Sequence, residues 1–478
     1  MKININLNEL AYRYEIYQIV NIFYPFSEIN FNISDSCDLN IDINVSVSED
    51  LAIIWDGFNK DEFNLKCEFT KKEVIKNHLY LFLSLKTGKS FPWGTLIGIR
   101  PSKIALALMN EGKDYNEIIK YYEKRYLASK EKAELCIKIA KREKDIVNKS
   151  SKNISVYIGM PFCPTRCLYC SFASNPIKGC SKLVEPYLEA LTYEIERISE
   201  FINKKRLIIE NVYFGGGTPT SVSNDQFEQI MKNIYNKFIY KNNIKEFTVE
   251  CGRPDSISFE KLDTMRRYKA TRISINPQTM NDETLKLIGR NHTSEDVVEK
   301  FNLARSMGFD NINMDLIVGL PGERLVHMKK TCSEILKLKP DSLTVHGMSV
   351  KKGSKLLENL KQNLNLVDLD ELIGMHNETV KLAEALKMEP YYMYRQKNML
   401  GNMENVGYSL ADKESPYNIQ MIEERQTIIA MGADAITKIV FLEENRIERA
   451  PNLKDIREYN NRIEELIEKK ITMLEDLY

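Results

Sequence analysis

The pattern of hydrophobic and polar residues changes near residue 150. From residue 154 onward, short runs rich in β-branched and aromatic residues alternate with longer amphipathic segments. Such alternation predicts βαβ units, a parallel sheet and therefore an α/β fold class. The six runs are "ISVYIG" (154–159), "NVYFG" (211–215), "FTVE" (247–250), "TRISI" (271–275), "NINMDLI" (311–317) and "DSLTVH" (341–346).

The segments between these runs have helical spacing. Hydrophobic residues three or four positions apart lie on one face of a helix, which can pack on a sheet. Six strand–helix units fit a partial (β/α)6 TIM-like barrel over residues 151–365, with its chemistry at the carboxyl ends of the strands. The stripes are Tyr187, Leu191, Ile195, Ile198 and Ile202 after the first run, and Phe227, Ile230, Ile234 and Phe238 after the second.

The flanking regions follow other patterns. "DLNIDINVSV" (38–47) alternates strictly, which predicts an antiparallel strand with one solvated face. Apolar-periodic segments near 71–86 and 102–111 follow, then a charged helix over about 129–148. We therefore expect an N-terminal α+β accessory domain over 1–150. The irregular pattern beyond the barrel predicts a mostly helical C-terminal region, 366–478, that covers the substrate.

Composition narrows the class of protein. Lys plus Arg and Asp plus Glu each number 67, so the formal net charge is zero and nothing indicates a nucleic-acid partner. No apolar run approaches the roughly 20 residues of a membrane span, and "MKININLNEL" lacks the apolar core of a signal peptide. Nine cysteines are too few and too irregular for a disulfide framework. These features predict a cytoplasmic globular protein.

"PFCPTRCLYCSF" (161–172) carries the first candidate chemistry. Cys163, Cys167 and Cys170 follow the first predicted strand, whereas the nearest histidines are His78 and His292. A structural zinc site usually pairs cysteines with further cysteines or histidines. Three thiolates on one tight loop suit three irons of a cubane cluster. An iron–sulfur site is favoured, zinc and buried structural thiols are the alternatives, and the fourth iron is open to a substrate or cofactor.

A glycine loop follows the second predicted strand. In "YFGGGTPTSV" (213–222), three successive glycines let the backbone approach another group closely. By itself this loop is either a tight turn or a ligand-binding loop.

Polar residues also follow later strands. Glu250, Gln278 and Asp315 stand at or just after strand ends, and Arg290 lies in "LIGRNH". Burying such groups is costly unless they meet a polar ligand. The alternative is a set of ion pairs at the rim of the barrel.

The three-cysteine motif and the elements after it resemble radical S-adenosylmethionine enzymes, whose fold is a six-unit partial barrel. The resemblance implies one 4Fe–4S cluster on Cys163, Cys167 and Cys170. It also implies that the amino and carboxylate groups of S-adenosylmethionine occupy the open iron. In that family, one electron from the cluster then cleaves the sulfonium and yields a 5′-deoxyadenosyl radical.

One branch of that family matches further residues. Thr218, followed by Pro-Thr, stands where a Glu often occurs, which is typical of oxygen-independent coproporphyrinogen III oxidases and their relatives. "VYIGMPFC" resembles the lead-in of the same branch. In that family the matching residues contact one or two S-adenosylmethionine molecules, and we expect two here. Those residues are Tyr157, Tyr169, Gly216, Gly217, Thr218, Glu250, Gln278, Arg290, Asp315 and Ile436.

Two outer segments extend the resemblance along the chain. "FPWGTLIGIRPSKI" (91–104) and "YYMYRQKNMLGNMENVGYS" (391–409) resemble motifs of a HemZ-type subgroup of coproporphyrinogen dehydrogenases. The second segment joins tyrosines to Arg395 and Lys397, which suits a flat substrate with carboxylates. Packing of an aromatic core is the alternative.

The activity implied by the resemblance is decarboxylation of two propionates of coproporphyrinogen III to vinyl groups, which gives protoporphyrinogen IX. A low-potential electron donor such as flavodoxin or ferredoxin is the expected protein partner. Two departures leave other tetrapyrrole functions open. Phe172 stands where the oxidases have a fourth cysteine, and Gly159 where they have a histidine. The alternatives are methyl transfer with ring opening of haem, and non-catalytic haem delivery.

Overall fold

The computed structural model describes residues 2–32, 42–98, 100–172, 174–349, 367–396 and 398–478. The chain separates into two compact units. The first comprises Met1–Lys141 and Tyr394–Glu404, and the second comprises Arg142–Met393 and Asn405–Tyr478. Most of the region predicted to stand alone after residue 365 therefore belongs to the unit that contains the six predicted strands.

The first unit is built around a small sheet. In the described residues its order is β2-β1-β3-β4-β5, with β1 parallel to both of its neighbours and the other pairs antiparallel. The elements are β1 (Lys2–Leu7), α1 (Arg13–Phe23), β2 (Glu28–Asn32), β3 (Ile43–Val47), β4 (Leu51–Trp55), β5 (Lys60–Asn64), α2 (Lys71–Thr87), α3 (Ser102–Asn110), α4 (Tyr115–Tyr126) and most of α5 (Lys130–Glu143).

The alternating strand predicted at 38–47 corresponds to β3. Ile43, Val45 and Val47 are buried on one face, as the alternation requires. The first part of the predicted strand, 38–41, lies outside the described residues. The mixed helix-and-sheet character expected for this part of the chain is confirmed.

The second unit begins with the predicted strand–helix succession. Its elements up to residue 347 are β6 (Asn153–Met160), β7 (Phe162–Cys163), β8 (Asn175–Pro176), α6 (Ile177–Lys205), β9 (Ile208–Gly216), α7 (Asn224–Ile234), β10 (Glu246–Glu250), α8 (Phe259–Arg267), β11 (Arg272–Ser274), α9 (Asp282–Leu287), α10 (Ser294–Ser306), β12 (Ile312–Val318), α11 (Leu325–Leu338) and β13 (Ser342–Gly347).

The six predicted strands are β6, β9, β10, β11, β12 and β13. They lie next to one another in chain order, and every pair is parallel. The hydrophobic stripe of α6 is buried, with Tyr187, Leu191 and Ile195 at 0% exposure. The predicted parallel sheet is confirmed, and its strand order is the one that a (β/α)6 unit requires.

The C-terminal region corrects the prediction of a mostly helical segment. Its described residues form five strands, three of which follow β6 in the sheet order β6-β16-β17-β18. The elements are α12 (Leu369–Ala385), β14 (Glu389–Tyr394), β15 (Asn405–Ser409), α13 (Pro416–Glu423), β16 (Thr427–Met431), β17 (Ile436–Phe441), β18 (Arg446–Pro451), α14 (Ile456–Asn461) and α15 (Ile463–Glu475). Short runs buried on both faces show no alternation, so periodicity alone cannot assign them to strands.

The strand β16 pairs with the edge of β6 that faces away from β9. It runs parallel to β6, with Thr427 opposite Ile154 and Met431 opposite Ile158. The Ser155 hydroxyl donates to the side-chain oxygen of Gln426, 271 residues further along the chain. A late segment therefore supports the strand that leads into the cysteine loop. In the described residues, no helix is long and apolar enough to cross a membrane.

Candidate functional site

The cysteine loop starts at the carboxyl end of β6. Cys163 ends the short strand β7, and Cys167 and Cys170 follow without regular structure. Cys163 and Cys167 are each 8% exposed, Cys170 is half-buried, and every described cysteine is free. Burial raises the pKa of Cys163 to about 12, although the nearby Thr218 hydroxyl opposes the shift. The Cys163 thiol therefore stays protonated at neutral pH unless a metal ion displaces the proton and binds the sulfur.

The three thiols share a loop without forming a closed metal site. Across the described residues, no three Cys, His, Asp or Glu side chains are gathered in a way that would hold a metal ion. A structural zinc site closes with four side chains. Three cysteines together with donors aimed at their sulfurs fit an iron–sulfur cluster better, since thiolates are its usual ligands. Thr218 Oγ1 lies 3.5 Å from Cys163 Sγ, and Arg253 Nη1 lies 3.5 Å from Cys167 Sγ.

The turn after α9 holds the cysteine loop in place. The Leu168 amide donates to the Ile288 carbonyl at 2.9 Å, and the Thr165 hydroxyl donates to the Gly289 carbonyl at 2.7 Å. Backbone bonds of this kind fix a loop that has no regular structure of its own. The loop is thus held by hydrogen bonds to the neighbouring turn.

The glycine loop packs against the cysteine loop. The Gly217 amide donates to the Met160 carbonyl at 2.5 Å, and a Cβ on Gly217 would lie 2.6 Å from Phe162 O and 2.9 Å from Cys163 Sγ. Gly216 has a φ of 104°, which side chains rarely adopt. These glycines are required by close approach of two backbones, and one of those backbones carries a predicted cluster ligand.

Glu250 ends β10 next to the glycine loop. Its Oε2 lies 2.7 Å from the position of a Cβ on Gly215. Burial and the charge of Asp315 raise the pKa of Glu250 to about 8, while the Gly216 amide and the Tyr213 hydroxyl oppose the rise. A carboxyl group in this position is neutral near pH 7 until a cation, such as an ammonium group, pairs with it.

Glu250→Gln is expected to remove a pH dependence of stability in the cluster-free protein. The pKa of Glu250 is raised in the fold, so the native state binds the extra proton and loses stability as pH rises from about 4.5 to about 8. With solvent screening the loss is roughly 1–3 kcal/mol. Between pH 5 and pH 8, the melting temperature of Glu250→Gln should therefore fall less than that of the unmodified protein. Glu299→Gln, at an exposed position, is the control and should keep the pH dependence of the unmodified protein. If the melting temperature of Glu250→Gln fell with pH as steeply as that of the unmodified protein, the raised pKa of Glu250 would be contradicted.

Gln278 stands in a strained position between β11 and β12. Its φ is 67°, a left-handed value for a residue other than glycine, and it is 6% exposed. The strain is held by β12, since the Gln278 amide donates to Asp315 O at 2.9 Å and the Ile317 amide donates to Gln278 O at 3.0 Å. Its side-chain Oε1 is buried with no partner among the described residues. Strain together with an unpaired buried oxygen is typical of a ligand-binding position.

Asp315 lies inside β12 and is linked to β13. Asn313 Nδ2 donates to its Oδ1 at 2.7 Å, and His346 Nε2 lies 3.6 Å from its Oδ2. Burial alone would raise the pKa of Asp315, but the His346 and Asn313 contacts outweigh it and lower the pKa. Asp315 therefore keeps its negative charge at neutral pH, unlike Glu250.

Arg290 lies beside the cysteine loop and is 7% exposed. Its Nη1 donates to Asn276 O at 2.5 Å and its Nη2 donates to the Tyr169 hydroxyl at 3.4 Å. Its Nε is buried and has no partner in the described part of the chain. Part of the guanidinium thus orders the cysteine loop, and the Nε–H is left for a ligand.

Tyr157 and Ile436 have different surroundings. The Tyr157 ring stacks near Tyr213 and Tyr417, with centroids 6.1 and 6.5 Å away, and its hydroxyl approaches Gly216. Ile436 begins β17, two strands from β6, and is 46% exposed. Tyr157 is therefore brought to the other predicted residues, whereas Ile436 is placed by its strand at a more open position.

Of the two predicted substrate cations, Arg395 is described by the structure. Arg395 belongs to the first unit, is 4% exposed and has its guanidinium 4.9 Å from the Trp93 ring centroid. The guanidinium donates to the backbone oxygens of Leu96 and Asn402. These contacts place Arg395 in the packing of the first unit, and its role toward a substrate carboxylate stays a prediction. Lys397 lies outside the described residues.

Sequence reasoning missed Arg253, which follows Glu250 by three positions. Its side chain is 4% exposed and is paired with Asp255 at 3.0 Å. The available signal was an Arg and an Asp two residues apart, directly after a strand whose carboxyl end carries Glu250. Thr165 and Asn276, which also bond to site residues, gave no comparable signal.

Comparison with known proteins identifies a matching family profile and similar sequences. The profile of the Radical SAM superfamily matches residues 157–335, which include the cysteine loop. The chain is 38% identical over 476 residues to the oxygen-independent coproporphyrinogen-III oxidase-like protein HemZ of Bacillus subtilis (strain 168), and the match covers 96% of this chain and 95% of that protein. It is 34% identical over 239 residues to the heme chaperone HemW of the same strain, over 50% of this chain and 62% of that one.

A solved structure matches the fold. Coproporphyrinogen III oxidase (HemN) from Escherichia coli, described as a radical SAM enzyme, gives a TM-score of 0.53 at 22% identity. The match covers 68% of this chain and 72% of that one. The parallel-rich sheet therefore has a counterpart of known fold.

Proposed function

Because the chain belongs to the radical SAM superfamily, in its oxygen-independent coproporphyrinogen oxidase-like branch, we propose that it is a radical S-adenosylmethionine oxidoreductase acting on a tetrapyrrole. The observation that carries the proposal is the packing of the three-cysteine loop against the glycine loop, with buried, unsatisfied polar atoms alongside. The proposed architecture is the partial barrel formed by β6 and β9–β13.

Cys163, Cys167 and Cys170 would hold a 4Fe–4S cluster, and the residues around them would hold S-adenosylmethionine. When bound, this pair supplies a 5′-deoxyadenosyl radical able to remove a hydrogen atom from a substrate. The chain's own groups bind and orient. Glu250 offers a carboxyl group to the amino group of the cofactor, and Thr218 donates a hydrogen bond toward Cys163.

We further propose a second S-adenosylmethionine. Gln278 Oε1 and Arg290 Nε are buried without partners in the described residues, so each has a hydrogen bond still to make. An arginine donates to a carboxylate and an amide oxygen accepts from an amine, which together suit an amino acid moiety.

The proposed reaction is oxidative decarboxylation of coproporphyrinogen III to protoporphyrinogen IX. Each of the two reacting propionate side chains would lose a hydrogen atom from its β-carbon to the 5′-deoxyadenosyl radical. It would then lose carbon dioxide, pass one electron to an electron acceptor, and so become a vinyl group. The support is the name of the relative that matches almost the whole chain and the fold shared with the solved oxidase. A low-potential donor, such as flavodoxin or ferredoxin, would supply the electron that the cluster needs.

A second candidate is haem delivery without turnover. Phe172 stands where the oxidases have a fourth cysteine, and it is 64% exposed directly after the cysteine loop. The similarity to the heme chaperone HemW supports this candidate. An exposed aromatic ring at this position can stack on a flat macrocycle.

The proposed function is tested with protein whose cluster has been reconstituted without oxygen. With reductant and coproporphyrinogen III, the expected products are vinyl groups and two 5′-deoxyadenosine molecules per protoporphyrinogen IX. Consumption of haem instead would indicate another radical reaction, and tight haem binding without cofactor cleavage would indicate delivery. Equilibrium dialysis of the same preparation counts bound S-adenosylmethionine, and one molecule per cluster would exclude the second cofactor.

A further inference from the structure

The surroundings of Cys167 carry an inference that rests on the proposed function. Arg253 Nη1 lies 3.5 Å from Cys167 Sγ and 3.4 Å from Thr165 O, and Arg253 Nη2 donates to Thr165 Oγ1 at 3.0 Å. Arg253 as a whole is 3% exposed and Cys167 is 8% exposed. A single guanidinium therefore contacts both a predicted cluster ligand and the backbone two residues before it.

Asp255 fixes the orientation of this guanidinium. Arg253 Nε donates to Asp255 Oδ1 at 3.1 Å and Nη2 donates to Oδ2 at 3.0 Å. The carboxylate therefore accepts two hydrogen bonds from one edge of the planar guanidinium. Such a bidentate pair is geometrically specific because both partners are planar and rigid. The Nη1 group, which is not bonded to Asp255, faces the cysteine loop.

The backbone after β10 delivers Arg253 to this place. Gly252 has a φ of 59° and its amide donates to Ser274 O at 3.1 Å, while the Arg253 amide donates to Cys251 O at 2.5 Å. The chain then enters a 3-10 turn over Pro254–Ser256. Glu250 and Arg253 thus come from one rigid turn but face different parts of the site.

We propose that Arg253 raises the reduction potential of the cluster by donating an N–H hydrogen bond to the Cys167 sulfur. Reduction adds negative charge to the cluster, so a nearby positive charge and a hydrogen bond to sulfur favour the reduced form. Low exposure limits screening by solvent and salt. A more easily reduced cluster accepts an electron from a weaker donor. Arg253 is a positioning residue here, since it acts through Cys167.

The test is a redox titration of the reconstituted protein without substrate, followed by electron paramagnetic resonance of the reduced cluster. At a fixed potential, Arg253→Gln is expected to lower the ratio of reduced to oxidised cluster about tenfold, which is a shift of about 59 mV for a one-electron couple. Arg267→Gln is the control, because Arg267 is exposed and pairs with Asp263 and Glu228. Its potential should match that of the unmodified protein.

A second variant covers the case in which Arg253→Gln does not hold a cluster. Arg253→Lys keeps the charge, but one ammonium group cannot keep both the bidentate pair with Asp255 and the contact with Cys167. It is expected to shift the potential in the same direction by a smaller amount. An unchanged potential in a fully loaded Arg253 variant overturns this inference and leaves the proposed function standing. Failure of the unmodified protein to load any cluster would instead overturn both.

Discussion

Replacing Cys167 by Ala is expected to abolish reductive cleavage of S-adenosylmethionine. A cluster that loses one of three thiolates has two irons without protein ligands. Changes to groups merely behind a metal ligand already cost about 10–100-fold in metal affinity or activity, so a loss of at least about 100-fold is expected here. The measurement is the amount of 5′-deoxyadenosine formed with dithionite, alongside the iron and sulfide content of the protein.

The matched control is Cys180→Ala. Cys180 is a half-buried free cysteine in the first turn of α6, outside the three-cysteine loop. This variant should load iron and sulfide as the unmodified protein does. Undiminished cleavage in Cys167→Ala would remove the cluster assignment, and an equal loss in both variants would show that folding, rather than ligation, had been disturbed.

Gly217→Ala is expected to have the second large effect. The added methyl group would lie 2.6 Å from Phe162 O and 2.9 Å from Cys163 Sγ, so the two loops must move apart. Overpacking of this kind costs roughly 1–3 kcal/mol. Because the displaced atoms include a predicted ligand sulfur, the cost should appear as weaker cluster retention and about 10–100-fold slower cofactor cleavage. Iron content and 5′-deoxyadenosine production measure the two effects.

The control for this substitution is Gly179→Ala. Gly179 lies in the first turn of α6, and a Cβ there would meet nothing within 4 Å. It should therefore retain the cluster and its activity. Normal iron content with normal cleavage in Gly217→Ala would mean that the two loops are more compliant than their contacts indicate.

The parallel part of the fold could be predicted because its strands and helices have distinct periods. The stripe through Tyr187, Leu191 and Ile195 repeats at helical spacing, and all three residues are buried. The strand β16 could not be found in this way. All five of its residues, Thr427–Met431, are buried, so its sequence does not alternate, and its partner β6 lies far away in the chain. Pairing over such distances leaves no local pattern.

Candidate site residues can be predicted from the sequence where they form a short motif. They are harder to predict where long-range contacts determine the surroundings of a side chain. Three cysteines within eight positions are enough to predict a cluster site from the sequence. Arg395 has a charge that suits a substrate, but its described contacts lie within the first unit, and no sequence pattern indicates them. Arg253 shows the converse. The role proposed for it rests on a 3.5 Å approach to Cys167, and two residues 86 positions apart share no sequence pattern that would indicate this contact.

The pairing of β6 with β16 has a consequence for synthesis on the ribosome. Until Thr427–Met431 have emerged, β6 has an unpaired edge, and open strand edges promote association between chains. The cysteine loop directly after β6 would remain without its complete support during that interval. We expect nascent chains stopped before residue 427 to bind chaperones and to gain no stable cluster, so that iron would enter after translation of the sheet is complete.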